Sequence, residues 1–309
     1  MRYSSCMDER TGQPDQAYQQ QLAAEAARWG ALASEQAVEL PPEWVYHRRL
    51  RHNRLIHGAT IDALLERVRP GMRALELGCA SGWLTLALAQ RGADATGLEV
   101  SEAALAIAQA YYEQRRAAVR GSVRYQQADL NSIALEPNAY DIIAAKGVLH
   151  HLVDLPHVIG QIATALRPGG LLWVDDTDGE EHLSSVLAAG ALCFILPTHT
   201  SYRDKLRALL RFGAAAPSRV RASIEAEGLS PFEGVSRGQS WRALVRERFI
   251  IEREIPHPSF TGYVGAQVRL GDRAALPLLY GIRAVDRGLT RLGLFRNTGW
   301  IVFARRPAQ

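Results

Sequence analysis

Short apolar segments alternate with helical segments over residues 73–174, and this alternation constrains the fold more than any other feature of the chain. Helices are predicted at residues 83–90, 102–116 and 155–166. Strands are predicted at residues 73–77, 95–100, 123–128, 141–145 and 171–174. Strands that alternate with helices of this length form βαβ units and a parallel sheet covered on both faces. The sequence therefore predicts an α/β fold.

The segment after the fifth predicted strand interrupts this alternation. Residues 180–247 predict helices near 183–196, 202–212 and 241–248, separated by prolines. This segment is too long for a simple crossover, and it favours a helical cap over the sheet. Further along the chain we predict a strand at residues 249–254, a helix at 274–292 and a last strand at 299–304.

The N-terminal part of the chain is predicted to be helical after a polar tail. Residues 1–16 are polar and are expected to be disordered. Residues 17–33 carry a helical stripe of apolar side chains, and residues 60–68 form an amphipathic pattern. The basic stretch at 47–54 fits an anion-binding segment or a helix with a solvated basic face, and we favour the solvated face.

Composition excludes several classes of protein. The 309 residues carry 36 basic and 32 acidic side chains, a net charge of +4 that is too dilute to indicate nucleic-acid binding. The three cysteines are far apart, so neither a zinc site nor a disulfide framework is predicted. No signal peptide is seen, and the longest apolar run, 183–197, is shorter than the ~20 residues of a membrane span. We expect a soluble cytoplasmic protein.

A glycine-rich turn, ELGCASG at residues 76–82, directly follows the first predicted strand and opens a helix. Glycines let a backbone approach a ligand closely, and a helix N-terminus offers free N–H groups. The dinucleotide pattern GxGxxG is not met, and no GK[ST] of a phosphate-binding loop follows. Taken alone, the turn also fits a merely tight strand–helix connection.

Polar residues also follow the next three predicted strands. Glu99 ends the second strand, where a carboxylate can accept both hydroxyls of a ribose. Asp129 follows the third strand, and the adjacent His150 and His151 follow the fourth. Each signal is weak alone, but their shared order along one sheet edge predicts a ligand site there.

These segments together resemble the class I S-adenosylmethionine-dependent methyltransferases. ELGCASG is similar to their first motif, GLEVS to their acidic second motif and QQADL to their adenine-contacting third motif. AAKGVLHHL and LRPGG are similar to the signatures around the fourth and fifth strands. The resemblance covers residues 70–176 and implies a Rossmann-like, seven-stranded sheet ordered 3-2-1-4-5-7-6. The part after strand five resembles bacterial methyltransferases of sugar or natural-product pathways.

The resemblance implies which residues bind the cofactor, S-adenosyl-L-methionine, and release its product, S-adenosyl-L-homocysteine. The acidic second motif would hold the ribose, the third motif the adenine, and the backbone at the end of the fourth strand the amino group of the cofactor. The cofactor-binding residues predicted on this basis are Glu76, Gly78, Cys79, Ala80, Ser81, Gly82, Trp83, Glu99, Val100, Asp129, Leu130 and Lys146.

On the same basis we predict four regions: an N-terminal helical extension (1–68), a Rossmann-like core that binds the cofactor (69–179), a cap that selects the substrate (180–247) and a C-terminal part with the last two strands (248–309). Helices 183–196 and 202–212 also fit an amphipathic pair that contacts lipid, an interpretation that we favour less.

Three residues are candidates for catalysis: His150, His151 and Asp175. A histidine can act as a general base near neutral pH. Because His150 and His151 are adjacent, we expect only one of them to face the cleft, and we favour His150. Asp175 is the alternative base. Asp175, Asp176 and Asp178 together fit a metal site, or else a solvated loop or one candidate base; we favour the loop or the single base and expect no metal.

The sequence predicts methyl transfer to a small molecule, most directly to an oxygen of a sugar or secondary metabolite. N-methylation stays open, as do a nicotinamide-dependent oxidoreductase and a catalytically silent cofactor-binding subunit. A nucleic-acid methyltransferase is disfavoured because no [DN]PP[YF] string follows the fourth strand. The expected partner is a small-molecule acceptor, without nucleic acid or stable membrane insertion, and a homodimer is left open.

Overall fold

Seven strands form a single sheet at the centre of the protein, as seen in a computed structural model that describes residues 16–39, 54–177, 183–212, 231–232 and 239–308. The strands are β1 (Arg73–Leu77), β2 (Asp94–Glu99), β3 (Ser122–Gln127), β4 (Tyr140–Lys146), β5 (Leu166–Thr177), β6 (Ile250–Pro256) and β7 (Gly299–Arg305). Their order is β3-β2-β1-β4-β5-β7-β6, which confirms the predicted order.

The first five strands run parallel, and β7 lies antiparallel between β5 and β6. The central strands β1 and β4 are buried along most of their length. This pattern is typical of parallel strands covered on both faces. All carboxyl ends of β1 to β5 therefore meet at one edge of the sheet.

Ten α-helices surround the sheet within the described ranges. They are α1 (Gln16–Glu39), α2 (Ala59–Leu65), α3 (Trp83–Gln90), α4 (Glu102–Arg115), α5 (Leu155–Ala165), α6 (Leu183–Ile195), α7 (Tyr202–Phe212), α8 (Trp241–Arg248), α9 (Thr261–Gln267) and α10 (Asp272–Arg291). A short π-helix, Arg54–Gly58, leads into α2.

Two apolar cores lie on opposite faces of the sheet. One contains Ile159 and Ile162 of α5 with Val245 of α8, and the other contains Leu64 of α2 and Leu88 of α3. Burial of each such side chain contributes ~1.5–3 kcal/mol to the stability of the fold. The two layers therefore hold the sheet, and with it the carboxyl ends of its strands, in place.

A third apolar cluster lies outside the sheet and joins segments that are distant in sequence. Leu55 of the π-helix packs with Ala189 of α6, Val264 of α9 and Leu279 of α10. This packing holds the segment before α2 against the helices that follow β5 and β6. None of the described helices combines the length and the hydrophobicity that crossing a bilayer requires.

One strand is longer than predicted, and one helix was not predicted. The fifth strand, predicted at residues 171–174, begins at Leu166, and Gly169 N donates to Arg306 O while Arg306 N donates to Gly170 O. These bonds extend the sheet past the glycines, and Gly169 adopts a positive φ of 75°. Helix α9 was not predicted, whereas α6, α7 and α8 lie close to their predicted positions.

Some sequence predictions fall on residues outside the described ranges. These are the polar tail up to residue 15, most of the basic stretch at 47–54, Asp178, and the middle of the proposed cap at 213–230.

Candidate functional site

A cavity lies at the carboxyl ends of β1, β2, β3 and β4, and residues that follow each of these strands line it. In a parallel α/β sheet this edge is where ligands bind. The cavity is lined by Leu22, Glu25, Trp29, Gly78, Ala80, Glu99, Val100, Ala128, Leu130, Asn131, Lys146, Gly147, Val148, His151, Leu152 and Phe232. Of the predicted cofactor residues, Gly78, Ala80, Glu99, Val100, Leu130 and Lys146 therefore lie on its wall.

The turn after β1 passes unusually close to the turn after β4. Gly78 has a φ of +67°, and a Cβ placed there would lie 2.6 Å from Cγ2 of Val148. Ala80 also has a positive φ, 45°, which is rare for a residue with a side chain. The backbone is thus held in a strained shape at the cavity wall, and Gly78 admits no larger residue without movement.

Glu99 organises this wall through its buried carboxylate. One oxygen, Oε2, accepts from the N–H of Ala80 at 3.0 Å. The other, Oε1, accepts from the N–H groups of Val100 and Ser101 at 2.9 Å and 3.0 Å. Burial raises the pKa of Glu99 against the effect of these three hydrogen bonds. The carboxylate therefore joins the turns after β1 and β2 at the edge of the cavity.

Five predicted cofactor residues are buried beside the wall and do not line the cavity: Glu76, Cys79, Ser81, Gly82 and Trp83. Glu76 accepts from the backbone N–H of Thr85 at 2.7 Å and from its hydroxyl, and burial raises the pKa of Glu76 to about 8. Glu76 thus anchors the start of α3. The hydroxyl of Ser81 is buried and has no hydrogen-bond partner among the described residues.

Asp129, the twelfth predicted cofactor residue, lies behind the cavity wall next to α1. Its Oδ2 accepts from the hydroxyl of Tyr18 at 2.7 Å, and its Oδ1 accepts from the N–H of Asn131 at 3.0 Å. The neighbouring Leu130 and Asn131 reach the cavity instead.

Helix α1 forms a wall of the cavity that the sequence did not identify as part of the site. Leu22, Glu25 and Trp29 face the cavity. The indole N–H of Trp29 donates to Glu25 Oε1 at 2.6 Å, and His151 Nδ1 lies 3.6 Å from the same oxygen. A buried glutamate inside an apolar helical stripe was the available signal.

The two adjacent histidines point in different directions. The structure places His151, rather than the favoured His150, on the cavity wall. His150 is turned toward β5, where its Nδ1 lies 2.5 Å from Asp176 Oδ1. Asp176 Oδ2 also accepts from the N–H groups of Val148 and Leu149. Burial, together with the charge of His150, lowers the pKa of His151 to about 3, so His151 is neutral at physiological pH.

Asp175 lies at the centre of a buried cluster next to the cavity. Its Oδ2 is 2.6 Å from His57 Nδ1, and its Oδ1 is 2.9 Å from His257 Nε2. Lys146, which lines the cavity, places its Nζ 3.8 Å from Oδ2. Sequence reasoning missed His57 and His257, which precede α2 and follow β6, because no local pattern links them to β5.

The charges in this cluster are set by burial and by Lys146. Burial would raise the pKa of Asp175, but His57, Lys146 and the hydrogen bonds from both imidazoles hold it well below its ordinary value. Burial outweighs the attraction of Asp175 and lowers the pKa of His57 to about 4. At neutral pH the cluster therefore holds a carboxylate between a lysine and a neutral His57.

The strands around this cavity lie in a part of the chain that is similar to known methyltransferases. Residues 75–174 match the family model described as a methyltransferase domain. The chain is 29% identical over 157 residues to a ubiquinone biosynthesis O-methyltransferase of Aeromonas salmonicida, covering 49% of this chain and 64% of the relative. It is 28% identical over 212 residues to the protein of that name from Azotobacter vinelandii, covering 67% and 83%.

Among solved structures, an S-adenosylmethionine-dependent methyltransferase from Mesorhizobium loti aligns with a TM-score of 0.46 and 20% identity. The alignment covers 80% of this chain and 96% of that protein.

Proposed function

We propose, from the match of residues 75–174 to a methyltransferase domain, that this chain is a class I, S-adenosylmethionine-dependent methyltransferase that methylates a hydroxyl oxygen of a small organic molecule. The curated relatives carry the name of O-methyltransferases, which supports an oxygen acceptor. The acceptor that we propose is a phenolic hydroxyl or a hydroxyl of a sugar or secondary metabolite. We propose that the reaction takes place in the cytoplasm.

The observation that carries this proposal is the combination of the glycine turn and the buried Glu99 on one cavity wall. The close approach at Gly78 leaves a bare backbone facing the cavity. The hydroxyl of Ser81, buried without a partner among the described residues, adds an unused hydrogen-bonding group to the same turn. These features fit the polar groups of S-adenosylmethionine, which supplies an activated methyl group when bound.

We assign the parts of the cavity as follows. Glu99 holds the ribose hydroxyls, since a carboxylate is the group that accepts two neighbouring hydroxyls. The segment from Ala128 to Asn131 holds the adenine, and the backbone around Lys146 holds the amino-acid end of the cofactor. The chain's contribution to the chemistry is then to align the acceptor with the methyl group and to exclude water.

The acceptor is proposed to bind beyond Lys146, at the ends of β4 and β5. His150, His151 and Asp175 all lie at this edge. His150 contacts the carboxylate of Asp176, and Asp175 contacts the imidazole of His57. Helices α6 and α7, from the proposed cap at 180–247, would then select among acceptors.

Transfer of tritium from methyl-labelled S-adenosylmethionine tests this proposal. The purified chain of 309 residues would be incubated with a catechol, a hexose glycoside and an aromatic amine in separate reactions. We expect label in an ether of the catechol or the glycoside. Label in the amine alone would replace the O-methylation proposal with N-methylation. Absence of label in all three, with tight binding of S-adenosylhomocysteine, would contradict the acceptor class.

A further inference from the structure

The buried cluster around Asp175 joins three segments that are distant in sequence. His57 comes from the π-helix before α2, Asp175 from the end of β5 and His257 from the segment after β6. Lys146 belongs both to the cavity wall and to the surroundings of Asp175, so the cluster borders the cavity. Such a set does not arise from local packing, and the sheet brings it together at its ligand-binding edge.

The two imidazoles use different nitrogens toward the shared carboxylate. His257 contacts Asp175 through Nε2, and its Nδ1 lies against β7, because a Cβ added at Gly299 would be 2.6 Å from that atom. His57 contacts Asp175 through Nδ1 and keeps Nε2 away from the carboxylate. Within the described residues, His57 Nε2 has no hydrogen-bond partner.

Exposure alone distinguishes the two imidazoles only slightly. The side chain of His57 is 13% exposed and that of His257 is 9% exposed, whereas that of Asp175 is 1% exposed. His57 is therefore singled out by its second ring nitrogen, which has no hydrogen-bond partner among the described residues, whereas Nδ1 of His257 lies against β7.

Burial lowers the pKa of His57 to about 4. The ring is therefore neutral near pH 7 and able to accept a proton, although it is a weaker base than a free imidazole. A neutral ring that donates Nδ1–H to an ionised carboxylate carries its lone pair on Nε2. The groups that face His57 are Asp175, His257 and Lys146. The negative charge of Asp175 stabilises the imidazolium formed when Nε2 takes a proton, whereas Lys146 and His257 oppose it.

We propose that His57 is the general base for methyl transfer, held by Asp175, while His257 and Lys146 keep Asp175 in place and ionised. This inference rests on the proposed O-methylation. The acceptor O–H bond breaks and its proton passes to Nε2 of His57. The acceptor oxygen forms a bond to the methyl carbon, and the S–C bond breaks with its electron pair returning to sulfur. His57 then releases the proton to solvent.

The same three residues have the geometry of a metal-ligand set, since their ligand atoms lie within 4.8 Å of one another. Two observations favour the proton acceptor. The 2.6 Å contact between His57 and Asp175 is a direct hydrogen bond, and the ammonium of Lys146 already lies 3.8 Å from the same oxygen. A divalent ion would meet this ammonium with twice the charge of an imidazolium and would have to break the hydrogen bond between His57 and Asp175.

Two acceptors of different acidity test the role of His57. Catechol must lose a proton during transfer, whereas 4-nitrocatechol is already ionised near pH 8 and needs no base. We expect His57→Gln to lower kcat with catechol by roughly 10²- to 10⁴-fold and to change kcat with 4-nitrocatechol by much less. Asp175→Asn should lose catechol turnover in the same selective way. The matched control is His199→Gln, which removes an exposed imidazole outside the cluster.

Equal losses with both acceptors, or no loss with catechol, would overturn the assignment. Calorimetry distinguishes this result from failure of the proposed function, because His57→Gln should bind S-adenosylhomocysteine as tightly as the wild type does.

A second measurement does not depend on the acceptor. With ¹⁵N-labelled imidazoles in the wild-type chain bound to S-adenosylhomocysteine, NMR should report a neutral His57 ring protonated on Nδ1 at pH 7. His57→Gln identifies the signal. A charged ring, the Nε2–H tautomer, or a shift of the His57 and His257 signals together on adding one equivalent of Zn²⁺ would contradict the proposal.

Discussion

Replacing Glu99 by glutamine perturbs the cavity wall with almost no change in shape. The carboxylate accepts two N–H groups on Oε1 and one on Oε2. A glutamine has one carbonyl oxygen, so its NH₂ group must face either the N–H of Ala80 or those of Val100 and Ser101. One side of the wall therefore loses its acceptor and gains a repelling donor.

The expected loss of affinity follows from the contacts that would be removed. A hydrogen bond to a charged group contributes ~1.5–3 kcal/mol. If the Glu99 carboxylate also accepts the ribose hydroxyls, the variant should bind S-adenosylhomocysteine about 10- to 150-fold more weakly, because ~1.4 kcal/mol corresponds to a factor of ten.

Isothermal titration calorimetry measures this loss, and chemical denaturation checks that the variant is folded. The control is Glu102→Gln, which removes an exposed carboxylate at the start of α4, three residues along the chain. We expect the control to bind like the wild type. An unchanged dissociation constant in a folded Glu99→Gln variant would remove the ribose contact from the account.

Three further predictions concern the glycine turn, helix α1 and the buried Glu76. Gly78→Ala should abolish measurable binding of S-adenosylhomocysteine and lower the melting temperature, because its Cβ would lie 2.6 Å from Val148 in a backbone with positive φ; normal calorimetric binding would contradict this reasoning. Trp29→Ala should weaken S-adenosylhomocysteine binding and accelerate its dissociation in stopped-flow fluorescence, since the indole lines the cavity and holds Glu25; an unchanged off-rate would exclude α1 as a closing wall. The pKa of Glu76 is raised to about 8, so between about pH 4.5 and 8 the folded state keeps a proton that the unfolded state has released. Wild-type stability should therefore fall relative to Glu76→Gln as pH rises from 5 to 8. A constant difference in melting temperature would show that the folded carboxyl is already ionised.

The core of the fold could be predicted because its signals are local. The strands, the glycine turn at Gly78 and the acidic residue Glu99 each follow one another at short spacing along the chain. The order of the sheet followed from the resemblance of these segments, and the structure confirms it. Helix α9, with two glycines among its seven residues, carries a weak local pattern and was missed.

The walls of the cavity depend on contacts between distant segments, and the sequence could not reveal them. Helix α1 was predicted as a helix, yet its place over the cavity depends on packing against α4, where Gly30 comes close to Ser101. His57 and His257 meet only because β5 lies between the segments that carry them. The choice between His150 and His151 likewise depended on Asp176, which turns His150 toward β5.

The central claim is that the cavity at the ends of β1 to β4 binds S-adenosylmethionine rather than a dinucleotide. Calorimetric titration of the 309-residue chain with S-adenosylhomocysteine and, separately, with NAD tests it most directly. We expect saturable one-to-one binding of S-adenosylhomocysteine and no heat of binding with NAD. Saturable binding of NAD, with no response to S-adenosylhomocysteine, would contradict it.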